Sequence, residues 1–225
     1  MIKRTNIEWS EYTWKIATGC NHGCPYCYCR RFMKDMTPKY HPDRIEDPMK
    51  LKKPARVFVA NTGDLFGEWV KDWMIEDVLQ TVKLCPQHTF QFLTKNAKRY
   101  EGMSFPDNSW VGVSVTKQED VHRIDSLRSV RAKIKFVSFE PILGHINEVD
   151  LFDIDWVIIG GESVGQAWNP KNETQSKTWA APLISKVRSL GIPIFLKPNL
   201  RWPERIREFP NATDMLDIPN VIQQY

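Results

Sequence analysis

Short, nearly continuous apolar runs alternate with longer amphipathic ones along most of the chain. Val57-Phe58-Val59-Ala60 and Trp156-Val157-Ile158-Ile159 show no polar face, as expected of parallel strands covered on both sides. The pattern predicts strands at 13–18, 56–60, 89–93, 110–115, 134–139, 156–159 and 192–196. Helices are predicted between them at 28–36, 72–84, 95–100, 118–130 and 176–190. The second of these sets Trp73, Val78, Leu79 and Val82 on one face with Asp72 as its N-cap, and the last ends at Gly191, a C-cap residue. Strand and helix alternating in this way predict an α/β fold: a parallel sheet with right-handed crossovers, curled into a partial or near-closed TIM-like barrel of six or seven strands. Residues 37–54, with four prolines, read as a loop, and 198–225 as an irregular C-terminal tail of one domain spanning 1–225.

Composition narrows the classes. Of 225 residues, 42% are hydrophobic and 26% charged, ordinary globular usage that excludes wholesale disorder. No apolar run approaches the roughly 20 residues of a spanning helix. The start, Met1-Ile2-Lys3-Arg4-Thr5-Asn6, has no apolar core of a signal peptide, so a cytoplasmic protein is expected. A net charge of +4 is mild. It permits an anionic substrate without announcing a nucleic-acid binder.

Four of the five cysteines, Cys20, Cys24, Cys27 and Cys29, fall within ten residues, and Cys85 stands alone as ordinary core. An odd count in a reducing compartment argues for metal rather than disulfides. Gly19 and Gly23 free the loop backbone and Pro25 stiffens it. Thiolates suit zinc or an iron–sulfur cluster. Zinc would need Cys29 or His22 to close a four-coordinate site, because no second Cys/His pair follows. A cluster held by three thiolates would instead leave one metal position open. A non-catalytic metal-binding or electron-transfer protein is therefore the alternative to an enzyme.

The C-x3-C-x2-C triplet with Tyr26 just before its third cysteine resembles the radical S-adenosylmethionine (SAM) superfamily. That resemblance implies a [4Fe-4S] cluster on Cys20, Cys24 and Cys27, with the fourth iron chelating SAM. It also implies a reducing partner such as a flavodoxin or ferredoxin. Further stretches, including Asn6-Ile7-Glu8-Trp9, Gly63-Asp64-Leu65-Phe66-Gly67 and Ser138-Phe139-Glu140-Pro141, are similar to one small branch found in phages and bacteria. That branch was long labelled a domain of unknown function and is loosely similar to spore photoproduct lyase. The likeness spans roughly residues 1–200 and leaves the substrate open. Cys29 reads as a passive residue, with a fourth ligand or a radical-quenching hydrogen donor as the alternatives.

Each predicted strand ends in polar residues, and in such folds reacting groups gather there. If SAM binds at those ends, Asp64 or a backbone carbonyl would take its ammonium. Superfamily members often use Gly-Gly-Glu for this purpose; here Gly160-Gly161-Glu162 follows the sixth strand instead. Lys95 or Ser114 would meet the carboxylate, and Ser114, Thr116 or Glu140 the ribose. Adenine would stack on Tyr26 or meet backbone of the last strands. Glu162 and Lys197 are candidate substrate contacts, or else a structural ion pair. Gly160 and Gly161 allow close approach of a ligand, or simply end a strand. Trp9, Trp14, Trp69 and Trp168 sit in or near loops, where they would wall a pocket, although core is the simpler reading for each; Trp110 and Trp156 read as core. The expected substrate is a nucleotide or nucleic-acid base, with a peptide or small metabolite as the alternative.

Overall fold

A computed structural model describes residues 1–163 and 170–210, with 170–173 described by their backbone alone. Trp168 and the tail beyond 210 lie outside the described residues. The main sheet has eight strands. In chain order they are β1 (Ile2–Arg4), β2 (Tyr12–Trp14), β5 (Arg56–Val59), β7 (Thr89–Thr94), β8 (Ser109–Ser114), β9 (Ile134–Phe139), β10 (Trp156–Ile159) and β11 (Ile194–Leu196). They pair in that same order; all neighbours from β2 onward are parallel, and β1 joins β2 antiparallel. The pairing order runs from β1 to β11 without closing among the described residues. A smaller sheet joins β3 (Ala17–Gly19), antiparallel to β4 (Lys39–Tyr40) and parallel to β6 (Thr62–Gly63).

The strands follow from side-chain alternation with both faces apolar. Val57, Val59, Val111, Val113, Val137, Phe139, Val157 and Ile159 point to the larger core, beneath helices α1 (Asp72–Leu84), α2 (Arg123–Arg128) and α3 (Pro170–Ser189). The intervening Phe58, Trp110, Phe136, Trp156 and Phe195 build an aromatic layer on the other face, with Trp9 packed into it 4.6 Å from Phe58. Gly112 exists for this layer: a Cβ there would sit 2.5 Å from the Phe136 ring.

Several sequence expectations change. The predicted strand at 13–18 is two strands in two sheets, because the chain steps from one sheet to the other at Lys15 and Ile16. The predicted helix at 28–36 is a single 3-10 turn, Tyr28–Arg31, since the Asp35 carboxylate caps the Thr37 N–H and turns the chain towards β4. Residues 95–100 and 118–130 likewise yield 3-10 turns at Ala97–Tyr100 and Gln118–Asp120 plus the short α2. Helix α1 has the expected bounds, but Lys71 rather than Asp72 occupies its N-cap. Trp73 is 48% exposed and packs edge-on against Tyr40, so Ile75 replaces it on the buried face. Helix α3 begins earlier than expected and carries Pro182 within it, and Gly191 follows at φ +67 as a C-terminal residue should.

Residues 198–210 are packed rather than loose. Leu196 and Glu208 donate their N–H groups to Ile206 and Ile194 carbonyls, covering the outer edge of β11. Phe209 stacks on Trp156 at 5.4 Å, and the Trp156 indole N–H donates to the Glu208 carbonyl.

Candidate active site

The cysteine loop leaves β3 at Gly19, whose φ of +76 is a conformation L side chains rarely adopt. Space forbids a side chain there as well, since a Cβ would lie 2.1 Å from the Thr37 carbonyl oxygen. The Cys20 N–H donates to the Met36 carbonyl at 2.8 Å, and β3 pairs with β4, so the two ends of the loop meet. Within it, the Cys27 N–H closes a turn on the Cys24 carbonyl at 3.2 Å.

This loop lies over the C-terminal ends of the parallel strands, walling a cleft of about 640 Å³. Cys20, Cys24, Cys27 and Cys29 all line it, with Tyr26 among them. From the strand ends come Asp64, Lys95, Ser114, Glu140, Gly161 and Lys197. Trp9, Phe58 and Leu93 supply an apolar part of the wall, joined to the aromatic layer below. A second recess of about 670 Å³, between α1 and residues 104–108, lies beside the N-terminal ends of β7 and β8 and holds no thiol. The structure thus brings together residues from every expected strand end. Thr116 and Glu162 do not line the cleft. Thr116 is buried and donates its hydroxyl and N–H to Asp120 at 2.7 and 3.0 Å, while Glu162 is half-buried.

Asp64 is 5% exposed and already heavily engaged. Its carboxylate accepts the Thr94 hydroxyl at 2.8 and 2.9 Å, the Phe66 N–H at 2.9 Å and the Lys95 N–H at 3.1 Å. The His22 Nε2–H adds a fourth donor at 2.8 Å, and the His22 ring packs edge-on to Trp69. Asp64 thereby ties the cysteine loop to the ends of β6 and β7.

Lys95 lies 5.2 Å from the Tyr26 ring centroid and forms no ion pair among the described residues. Burial lowers its pKa, partly opposed by the Cys24 sulfur. Burial pushes the Tyr26 phenol up to about 12, against the Thr116 hydrogen bond. The Cys20 and Cys29 thiols are each pushed up to about 11, again chiefly by burial.

On the far wall Lys197 donates to Glu140, so its partner is that residue and not Glu162. Close approach at the paired glycines is made by the chain itself. A Cβ on Gly160 would crowd Glu140, and one on Gly161 would sit 2.8 Å from the Asn199 carbonyl oxygen. Asn199 also grips Gly161 with its amide, donating to the carbonyl at 2.8 Å and accepting the N–H at 3.2 Å. Of the tryptophans expected at the pocket, Trp9 lines it, Trp14 is core and Trp69 backs His22. The pairings of His22 with Asp64 and Asn199 with Gly161 escaped sequence reasoning, because each joins segments that share no local pattern.

Among the described residues no group of three or more His, Cys, Asp or Glu side chains is arranged to hold a metal ion as it stands. The donor chemistry nevertheless suits a soft inorganic centre: three part-buried free thiols on one short loop line one cleft. No helix among the described residues is long and apolar enough to cross a membrane.

A family model described as "Protein of unknown function (DUF5131)" matches residues 4–214. No curated protein matches. Among solved structures, spore photoproduct lyase complexed with dinucleoside spore photoproduct is similar at 14% identity and TM-score 0.52, covering 81% of this chain and 64% of that one. A substituted form of that lyase with bound AdoMet and dinucleoside spore photoproduct gives 14% identity and TM-score 0.55, with the same coverage. The chain therefore spans about 64% of the length of these structures, and the likeness is one of fold.

Proposed function

The chain belongs to the DUF5131 family, and from that premise we propose that it is a radical SAM enzyme working in the cysteine-walled cleft. The observation that carries this reading is the meeting of the C-x3-C-x2-C loop with the ends of the parallel strands, which we take to form a partial barrel around one cavity. Cys20, Cys24 and Cys27 would hold a [4Fe-4S] cluster. When bound and reduced by a flavodoxin or ferredoxin, that cluster supplies one electron for cleavage of SAM to methionine and a 5′-deoxyadenosyl radical.

The chain's own residues bind, orient and exclude water. Lys95, a cation without a carboxylate partner among the described residues, meets the SAM carboxylate together with Ser114. Tyr26 offers its ring to the adenine. Asp64 has its oxygens filled by four groups of this chain, so in this reading it positions His22 and Thr94 while a backbone carbonyl takes the SAM ammonium. Glu140, held by Lys197, faces the ribose or the substrate. Trp9, Phe58 and Leu93 keep part of the cavity dry, which protects a radical from side reactions. The substrate is a nucleotide or nucleic-acid base, a class consistent with the ligand named for the similar lyase.

Anaerobic reconstitution with iron and sulfide, followed by dithionite and SAM, tests the reading directly. The expected products are 5′-deoxyadenosine and methionine. An intact cluster that yields neither would overturn it.

A further inference from the structure

Beyond Cys27 the chain makes one 3-10 turn, Tyr28–Arg31, and sets two aromatic rings at the rim of the cleft. Tyr28 and Phe32 pack at 5.8 Å between centroids, yet remain 41% and 59% exposed. Tyr28 is anchored, donating its hydroxyl to the Asn61 carbonyl at 2.7 Å. Phe32 gains little from folding at that exposure, so its ring is free to cover something else. Arg30, Arg31 and Lys34 stand exposed around the pair, and Arg31 also lines the cleft. None of the three forms an ion pair among the described residues. The neighbouring acid, Asp35, is committed to Lys39 at 2.7 Å and to the Thr37 N–H. Just inside the rim, the Thr62 hydroxyl and the Asn61 side-chain oxygen are buried without partners.

Unmatched cations interleaved with open ring faces are what a single nucleic-acid strand needs, since its phosphates seek guanidinium or ammonium groups and its unpaired bases seek a stacking surface. A duplex hides its base faces and gains less from such a rim. An acidic protein would use the charges but would cover the mouth through which substrate enters. We propose that residues 28–34 form a docking rim for single-stranded nucleic acid, with a base stacked on Phe32, phosphates on Arg30, Arg31 and Lys34, and a neighbouring nucleotide offered to the cleft. This deepens the proposed function, and it rests on that reading for what happens inside the cleft but not for binding itself.

The test is fluorescence anisotropy of a labelled mixed-sequence oligodeoxynucleotide of about 20 residues, titrated with reconstituted protein between about 50 and 200 mM salt. The single strand is expected to bind roughly tenfold tighter than the matching duplex, with a log–log salt slope of about −2 from three phosphate contacts. Phe32→Ala should weaken binding roughly tenfold at unchanged slope, as loss of one stacked base does. Arg31→Ala and Lys34→Ala should each flatten the slope by about 0.7, while Lys83→Ala on α1 changes nothing. Circular dichroism establishes that each variant is folded. Equal or tighter duplex binding, salt-independent binding, or rim variants that bind like the parent would overturn the proposal. So would rim variants that lose a flavodoxin or ferredoxin but keep the oligonucleotide. Binding needs neither SAM nor reductant, so a strand that binds without 5′-deoxyadenosine formation sinks only the enzymatic reading. Formation of 5′-deoxyadenosine without strand binding sinks only the rim.

Discussion

The Thr94 hydroxyl bridges both oxygens of the Asp64 carboxylate, at 2.8 and 2.9 Å, locking the end of β7 to the end of β6. The same carboxylate collects two backbone N–H groups and His22, so removing it strands several buried donors at once. Asp64→Ala should therefore cost about 2–4 kcal/mol in chemical denaturation, with Asp64→Asn costing less because one oxygen survives. A loss near zero for the alanine variant would show that these donors find other partners.

Glu140 and Lys197 join the ends of β9 and β11 across β10, and each side chain is 21% exposed. Either one alone, as Glu140→Gln or Lys197→Met, should cost about 1–2 kcal/mol by leaving the other charge half-buried and unpaired. The double variant should cost less than the sum of the two. Additive losses in the double-mutant cycle would mean the pair does not interact in solution.

Asp120 gives a pH signature. Burial opposes its ionisation, but the Thr116 hydroxyl and N–H and the Arg123 guanidinium outweigh it, so its folded pKa lies below the usual carboxylate value. A lowered folded pKa contributes stability that is present above the unfolded value and fades as pH falls through the folded one. Asp120→Asn should be destabilised at neutral pH and converge on the parent in acid, below pH about 4. Stability curves that stay parallel well below pH about 4, where the folded carboxylate takes up its proton, would refute this.

The cluster reading separates the cysteines. Cys20→Ala, Cys24→Ala and Cys27→Ala should each lose iron and the visible absorption of the reconstituted protein. Cys29→Ala should keep both, because Cys29 lies within the rim turn and is buried at 4% exposure. Loss of iron on Cys29→Ala alone would indicate a closed four-thiolate site. Should that variant keep the cluster and SAM cleavage but stall substrate turnover, Cys29 would serve as a hydrogen donor.

Gly112 offers a packing test far from any thiol. With Phe136 ring carbons 2.5 Å from the position of a Cβ, Gly112→Ala must push the aromatic layer apart and should cost about 1–3 kcal/mol. Gly144→Ala meets nothing within 4 Å and should cost far less on thermal denaturation.

The parallel strands β5, β7, β8, β9, β10 and β11 were legible because burial on both faces leaves short, mostly apolar runs, a signal local enough to survive without any partner in view. The step between β2 and β3 was not, since a change of sheet alters neither alternation nor composition at Lys15-Ile16. The helix expected at 28–36 stops after one 3-10 turn, because Asp35 turns the chain towards β4 and the apolar face that would carry a helix further is left uncovered at Phe32. Within the site, the cysteine spacing is local and readable. What holds it in place is not, for His22 reaches Asp64 across 42 positions and Asn199 reaches Gly161 across 38.

Because β3 and β4 zip together at the base of the cysteine loop, residues 20–38 form a closed excursion that returns to where it left. Its stem is fixed by backbone pairing, and His22 and Tyr28 tie it to the strand ends, so between those anchors the segment can be rewritten with little disturbance to the strands beneath. If the proposed cluster sits there, its chemistry and access to the cavity are carried on one exchangeable cassette, and a change of clientele would require new residues there before it required a new scaffold.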